Sequence, residues 1–175
     1  VKTRLTDFLQ IEGIEINFED EIICIPKDVS KANTDDLLLV YTPAIPENHK
    51  QLSHLISLGH RAVKRAELLG KITSENKSLA IAGTHGKTST TGILAHILDG
   101  SPKGCNAFIG GITTANNSNL YQSPHAEWTV IEADEFDRSF HHLHPTHGLI
   151  TSLDPDHLDI YGTPEKFNEG FRIYQ

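Results

Sequence analysis

The stretch "SLAIAGTHGKTSTTGILAHIL", residues 78–98, restricts the fold more than any other part of this sequence. An apolar run too short for a helix gives way to a turn punctuated by Gly83 and Gly86. Residues with apolar members at helical spacing follow it. The pattern predicts a buried strand over Leu79–Ala82, then a turn, then a helix from about Lys87 to Leu98 with Ile93, Leu94, Ile97 and Leu98 on its packed side. A strand that feeds a helix in this way belongs to an α/β layer, in which the helix packs back on a parallel sheet.

The same turn has the chemistry of an anion site. The first N–H groups of a helix have no intrahelical partner and point outward, and the helix dipole adds partial positive charge there. Gly83 and Gly86 would let the backbone curl close to a phosphate. Lys87 would bring a full charge to β and γ phosphates, and Thr88 or Ser89 a hydroxyl to Mg²⁺. The common pattern G-x-x-x-x-G-K-[ST], however, requires a glycine where this chain has Ile81. What is left, G-x-x-G-K-T, fits a shortened phosphate loop and also fits a Gly-rich turn with a solvated lysine.

The segments downstream narrow that choice. A nucleotide site needs a carboxylate for its metal on a neighbouring strand end, where ligands bind in open α/β sheets. "EWTVIEADEFDRSF" offers a strand over Glu127–Ala133 with Glu132, Asp134, Glu135 and Asp137 gathered at its end. "GLITSLDPDHLDIYG" runs from a strand over Gly148–Ser152 into Asp154, Asp156, His157 and Asp159. Three strands thus deliver a lysine with hydroxyls, a carboxylate cluster and an Asp/His cluster to one sheet edge. A further strand is expected near Asn106–Ile109 and a helix from Pro164 onward.

Upstream, "IEINF" and "DDLLLVYTP" read as strands, "PENHKQLSHLISLG" as a helix with Pro46 and Glu47 in its first turn, and "AVKRAELLGKITSE" as a short strand running into a second helix. The polar stretch "TSENKS" predicts a boundary between two incomplete domains, residues 1–76 and 77–175. The most loop-like segment is "TTANNSNLYQSPHAE". Apolar runs fall well short of a membrane span, and a net charge of −8 argues against general nucleic-acid binding. Cys24 and Cys105 have no metal-ligand spacing and read as reduced thiols. With no signal peptide and no methionine in the chain, the expectation is a cytoplasmic protein of which this is a part.

Taken together, "AGTHGKTSTT", "VIEADEFDRSF" and "TSLDPDHLDIYGT" resemble the Mur ligases, whose phosphate loop has the shortened G-T-[HN]-G-K-[TS] form. "VYTPAIPENH" and "KRAELLG" extend the resemblance into the first domain. The resemblance implies a partial Rossmann-like domain for a UDP-sugar, followed by a partial P-loop NTPase-like central domain with a mainly parallel sheet. It further implies an ATP-dependent amide ligase that joins L-alanine to UDP-N-acetylmuramate through an acyl phosphate, using Mg²⁺ or Mn²⁺, and a piece with little activity by itself. On the same footing, Gly83, Thr84, His85, Gly86, Lys87, Thr88 and Ser89 hold the nucleotide; Thr88, Glu132 and His157 hold the metal; and Lys87, Glu132 and His157 carry the catalysis. Imidazole is an unusual ligand for Mg²⁺, which prefers oxygen.

Two other readings are set against this one. A ligase of the same superfamily, such as the murein-peptide recycling enzyme or folylpolyglutamate synthase, shares much of the pattern. The short "DRSFHHLHP" and the "DPDHLDIYG" segment favour alanine addition. A non-catalytic nucleotide switch would be expected to carry N-K-x-D for guanine, and the chain has none, which leaves an adenine-binding switch open. His141, His142, His144 and His147 fit no zinc spacing and read as structural or solvent-facing, Trp128 reads as core, and Asp134, Glu135, Asp137 and Arg138 as salt-bridged supports of the carboxylate loop or as contacts to the substrate.

Overall fold

The computed structural model describes residues 16–154 and 161–174, apart from the side chains of residues 136, 137, 173 and 174. The chain divides into two compact units, residues 1–64 and 65–175.

In the first unit a 3-10 turn (Ile22–Cys24) and a short helix α1 (Lys27–Ser30) precede β1 (Leu38–Tyr41), α2 (Lys50–Ser57) and β2 (Arg61–Lys64). The two strands pair in parallel, from Leu38 opposite Arg61 to Tyr41 opposite Lys64. Helix α2 starts later than Pro46 and Glu47 suggest. The Pro46 carbonyl closes a turn on the His49 N–H at 3.0 Å, and the His49 ring caps the helix by accepting the Leu52 N–H at 3.3 Å. Of "IEINF", residues 16–18 form no strand and residues 14–15 lie outside the described part.

The second unit runs α3 (Arg65–Glu75), β3 (Lys77–Ala82), α4 (Lys87–Asp99), β4 (Cys105–Phe108), β5 (Leu120–Tyr121), β6 (Trp128–Glu132), a 3-10 segment (Phe136–His142), β7 (His147–Ile150) and α5 (Pro164–Tyr174). Its five-stranded sheet has the order β5-β4-β6-β3-β7, with only β5 antiparallel. That two-residue strand lies inside the segment read as a loop, and it is too short for a period-2 signal.

The compact units divide at 64/65, ahead of the domain boundary expected at residues 76/77. Polar residues in "TSENKS" look like a linker, and the middle four are exposed, but the two ends, Thr73 and Ser78, are buried and satisfied. Thr73 is 1% and Ser78 0% exposed. The Ser78 hydroxyl donates to the Thr73 carbonyl and accepts the Thr146 N–H, and the Ser78 N–H donates to the Thr146 hydroxyl at 3.0 Å. Helix α3 also lies so close to the 3-10 segment that a Cβ on Gly70 would stand 2.0 Å from the His142 carbonyl oxygen.

Alternation along the central strands sends Ala80, Ala82, Ile131 and Ala133 to one face of the sheet and Ile81 and Val130 to the other. The small residues of the first face receive Phe140, Tyr161, Phe167 and Phe171, each at most 2% exposed. Burying such a side chain contributes about 1.5–3 kcal/mol. On the other face α4 packs through Thr91 and Ala95, both 0% exposed, flanked by Leu94 and Leu98. Ile93 and Ile97, expected inside, are 61% exposed. Small residues let the helix sit close to the sheet, and that contact rotates the two isoleucines outward.

Candidate functional site

Strands β6, β3 and β7 are neighbours and parallel, so their C-terminal ends lie side by side. The loop after β3 is fastened to the chain leaving β7. The Thr84 N–H donates to the Ser152 carbonyl at 3.2 Å and the His85 N–H to the Ser152 hydroxyl at 2.8 Å. The Thr84 hydroxyl donates to the Asp154 carbonyl at 2.7 Å, and the Thr151 hydroxyl to the carbonyls of Ala82 and His85. Gly83 is required here: its φ is +126°, and a Cβ would fall 2.3 Å from the Thr151 hydroxyl. Gly86, at φ +81°, turns the chain into α4. Thr84 and His85 thus use their N–H groups to hold the loop, and the His85 side chain is exposed. The outward donors are the N–H groups of the first turn of α4, from Gly86 to Ser89, which have no acceptor within the helix.

Lys87 does not extend into solvent. Its Nζ donates to the Gly83 carbonyl at 2.6 Å and lies 2.9 and 2.8 Å from the two carboxylate oxygens of Glu135. The Lys87 side chain is 14% exposed and that of Glu135 1%. Removing one partner of such a pair leaves an uncompensated buried charge, a loss of about 3–5 kcal/mol.

A few residues away, the Thr88 hydroxyl donates to Glu132 Oε1 at 2.9 Å, and the Gly110 N–H donates to Glu132 Oε2 at 2.7 Å. A Cβ on Gly110 would stand 2.8 Å from that carboxylate. The structure therefore joins Thr88 and Glu132, which sequence spacing alone separates by 44 positions. A hydroxyl and a carboxylate are hard oxygen donors, suited to Mg²⁺. The third expected ligand, His157, lies outside the described residues with Asp156 and Asp159. Among the described residues no three His, Cys, Asp or Glu side chains converge on one point.

Sequence reasoning treats Glu135 as a structural support and does not single out Gly110, Thr151 or Ser152. The available signals are the paired glycines after β4 and the Thr-Ser step after β7, both at the sheet edge that carries the loop. The histidines disperse: His141 Nε2 lies 2.9 Å from the Gly170 carbonyl, and His147 stacks on Trp128 at the opposite edge of the sheet. Trp128 is half-buried against the core, with Lys77 Nζ 5.9 Å from its ring centre. Beside Glu132 the second unit opens into a cavity of about 610 Å³. Leu68, Leu69, Ile72 and Phe108 make it largely apolar, and Arg65 and Asp134 add charge. An organic molecule held there would lie next to the Thr88–Glu132 pair.

The description of the Mur ligase middle domain matches residues 81–172, the span that contains the loop, both carboxylates and β7. The chain belongs to the Mur ligase family. Among curated Mur ligases, it is 52% identical over 170 residues to UDP-N-acetylmuramate--L-alanine ligase of Porphyromonas gingivalis, covering 97% of this chain and 37% of that protein. The enzyme of the same name from Parabacteroides distasonis is also 52% identical, with 97% and 36% covered. The chain therefore spans little more than a third of these relatives. Solved Mur ligases share its fold. The Thermotoga maritima UDP-N-acetylmuramate-alanine ligase matches with a TM-score of 0.80 at 24% identity, over 97% of this chain and 38% of that one. A ligase from Neisseria meningitides, named for UDP-N-acetylmuramate and L-alanyl-γ-D-glutamyl-meso-diaminopimelate, matches with 0.80 at 22%, over 96% and 55%.

Proposed function

We propose that this chain is the ATP-binding part of a cytoplasmic ligase that joins L-alanine to UDP-N-acetylmuramate, and that residues 1–64 contribute to UDP-sugar recognition. The observation that carries the reading is the Thr88–Glu132 contact at the start of α4, beside the paired Lys87. The N–H groups of Gly86–Ser89 hold the phosphates of ATP, here a substrate, and Lys87 places its ammonium against the β and γ groups. Thr88 and Glu132, with His157 as the third expected ligand, hold Mg²⁺, or Mn²⁺ in its place. When bound, the ion would supply neutralisation of phosphate charge. A substrate carboxylate oxygen attacks the γ-phosphorus and ADP leaves. The alanine amine then attacks the acyl carbon, phosphate departs, and the amine gives up a proton as the amide forms. The residues of this site contribute mainly orientation and charge neutralisation.

For the full-length protein, ATP hydrolysis in the presence of UDP-N-acetylmuramate decides the reading. Stimulation by L-alanine is expected. Stimulation only by a tripeptide would move the assignment to murein-peptide recycling, and nucleotide binding without turnover would move it to a switch.

A further inference from the structure

The Lys87–Glu135 pair is more than the loop needs in order to fold. Its backbone is already set by Gly83, Gly86, Thr151 and Ser152. Glu135, by contrast, is anchored from the far side. The Tyr161 hydroxyl donates to the Glu135 carbonyl at 2.7 Å, and Tyr161, 2% exposed, packs edge-on against Phe167 at 5.1 Å. Arg138, held at φ +61°, lies over the same tyrosine ring at 5.4 Å. The backbone that carries the Glu135 carboxylate is thus held by the aromatic core rather than by the loop that the carboxylate touches. Because it is buried, Lys87 cannot swing away to solvent without leaving a charge unpaired in a low-dielectric site.

We propose that Glu135 is the positioning residue for Lys87: it holds the ammonium at the Gly83 carbonyl, within the curl of the loop, so that incoming phosphates meet a charge already in place. The inference rests on the nucleotide-site reading above. Tyr161 acts one step further back, through the Glu135 backbone. A flexible lysine would lose much of its freedom on binding, and a lysine held in place has lost it beforehand.

The test is binding of MgATP to the full-length protein by calorimetry, together with steady-state kinetics, for wild type, Glu135→Gln, Glu135→Asp and Tyr161→Phe. Glu135→Gln is expected to weaken ATP binding and raise the KM for ATP roughly tenfold to a hundredfold, the range spanned by hydrogen bonds to charged groups. The KM values of the other two substrates should stay within about twofold. Glu135→Asp, which keeps the charge, should recover part of the loss, and Tyr161→Phe should show a smaller loss of the same kind. Where Glu135→Gln fails to fold, the other two variants carry the test. A lowered melting temperature with an unchanged KM for ATP in the folded variants overturns the inference and makes Glu135 a structural residue alone. Absence of MgATP binding by wild type overturns the nucleotide-site reading and this inference with it.

Discussion

The two ends of the same parallel strands are built differently. At the N-terminal edge, where β3, β6 and β7 begin, the charges are at the surface. Lys103 and Glu127 lie 3.4 Å apart with both side chains more than half exposed, and Lys77 rests over Trp128. At the C-terminal edge, Lys87 and Glu135 are buried against each other, and Thr88, Glu132 and Gly110 form a hydrogen-bonded chain. Exposed pairs contribute about 0–1 kcal/mol, whereas breaking a buried pair costs several. Residue types alone do not distinguish the edges; burial and mutual satisfaction do. The edge that holds its polar groups in fixed positions is the one able to present them to a ligand.

The largest effect that tests this contrast is Lys87→Met. It should reduce nucleotide affinity by about a hundredfold and destabilise the protein by about 3–5 kcal/mol, because Glu135 is left buried without its partner. Calorimetric titration and thermal unfolding read the two losses separately.

Next comes Gly110→Ala. The added Cβ falls against the Glu132 carboxylate, so Glu132 must leave Thr88 or the chain after β4 must shift. Mg²⁺-dependent binding should weaken roughly tenfold to a hundredfold, with far less change in binding measured without the ion. An unchanged Mg²⁺ dependence would show that Glu132 does not need this backing.

Cys105 starts β4 at the N-terminal edge but is fully buried, and its Sγ lies 3.3 Å from the Ala95 carbonyl. Burial, with Asp99 adding to it, pushes the thiol up from 9.0 to about 11. A folded value above the unfolded one means that the contribution is full below pH 9 and is lost as pH rises from 9 through about 11. A rise of that size corresponds to at most about 2–3 kcal/mol. Urea unfolding of wild type and Cys105→Ala across that range should show a steeper alkaline loss in wild type. Parallel profiles would deny the thiol this role.

Smallest of all, Lys103→Ala should alter stability by no more than about 1 kcal/mol and leave nucleotide binding unchanged.

Much of the second unit is legible because its signals are local. Strand β3, the Gly83–Gly86 turn and the start of α4 are written in adjacent residues, and the α/β class follows from their order. Thr88 and Glu132 each stand out by their place at a helix start or a strand end. Their contact, and the role of Gly110 in backing it, come from strand order, which one sequence does not state. The Glu135 carboxylate is hard to read for a related reason. A run such as EADEFD looks uniformly solvated, yet Glu135 is 1% exposed while Asp134 is exposed. Thr73 and Ser78 resemble linker residues until their partners His144 and Thr146 come near from more than sixty positions away.

Calorimetric titration of the full-length protein with ADP, with and without Mg²⁺, tests the central claim most directly when Lys87→Met is set beside Lys77→Met. Lys77 opens β3, and Lys87 opens the helix that follows the loop at the strand's other end. A site built on the C-terminal edge predicts Mg²⁺-strengthened binding to wild type, unchanged binding to Lys77→Met, and a loss of about a hundredfold in Lys87→Met. Equal binding by Lys87→Met and wild type, or a loss confined to Lys77→Met, would contradict it.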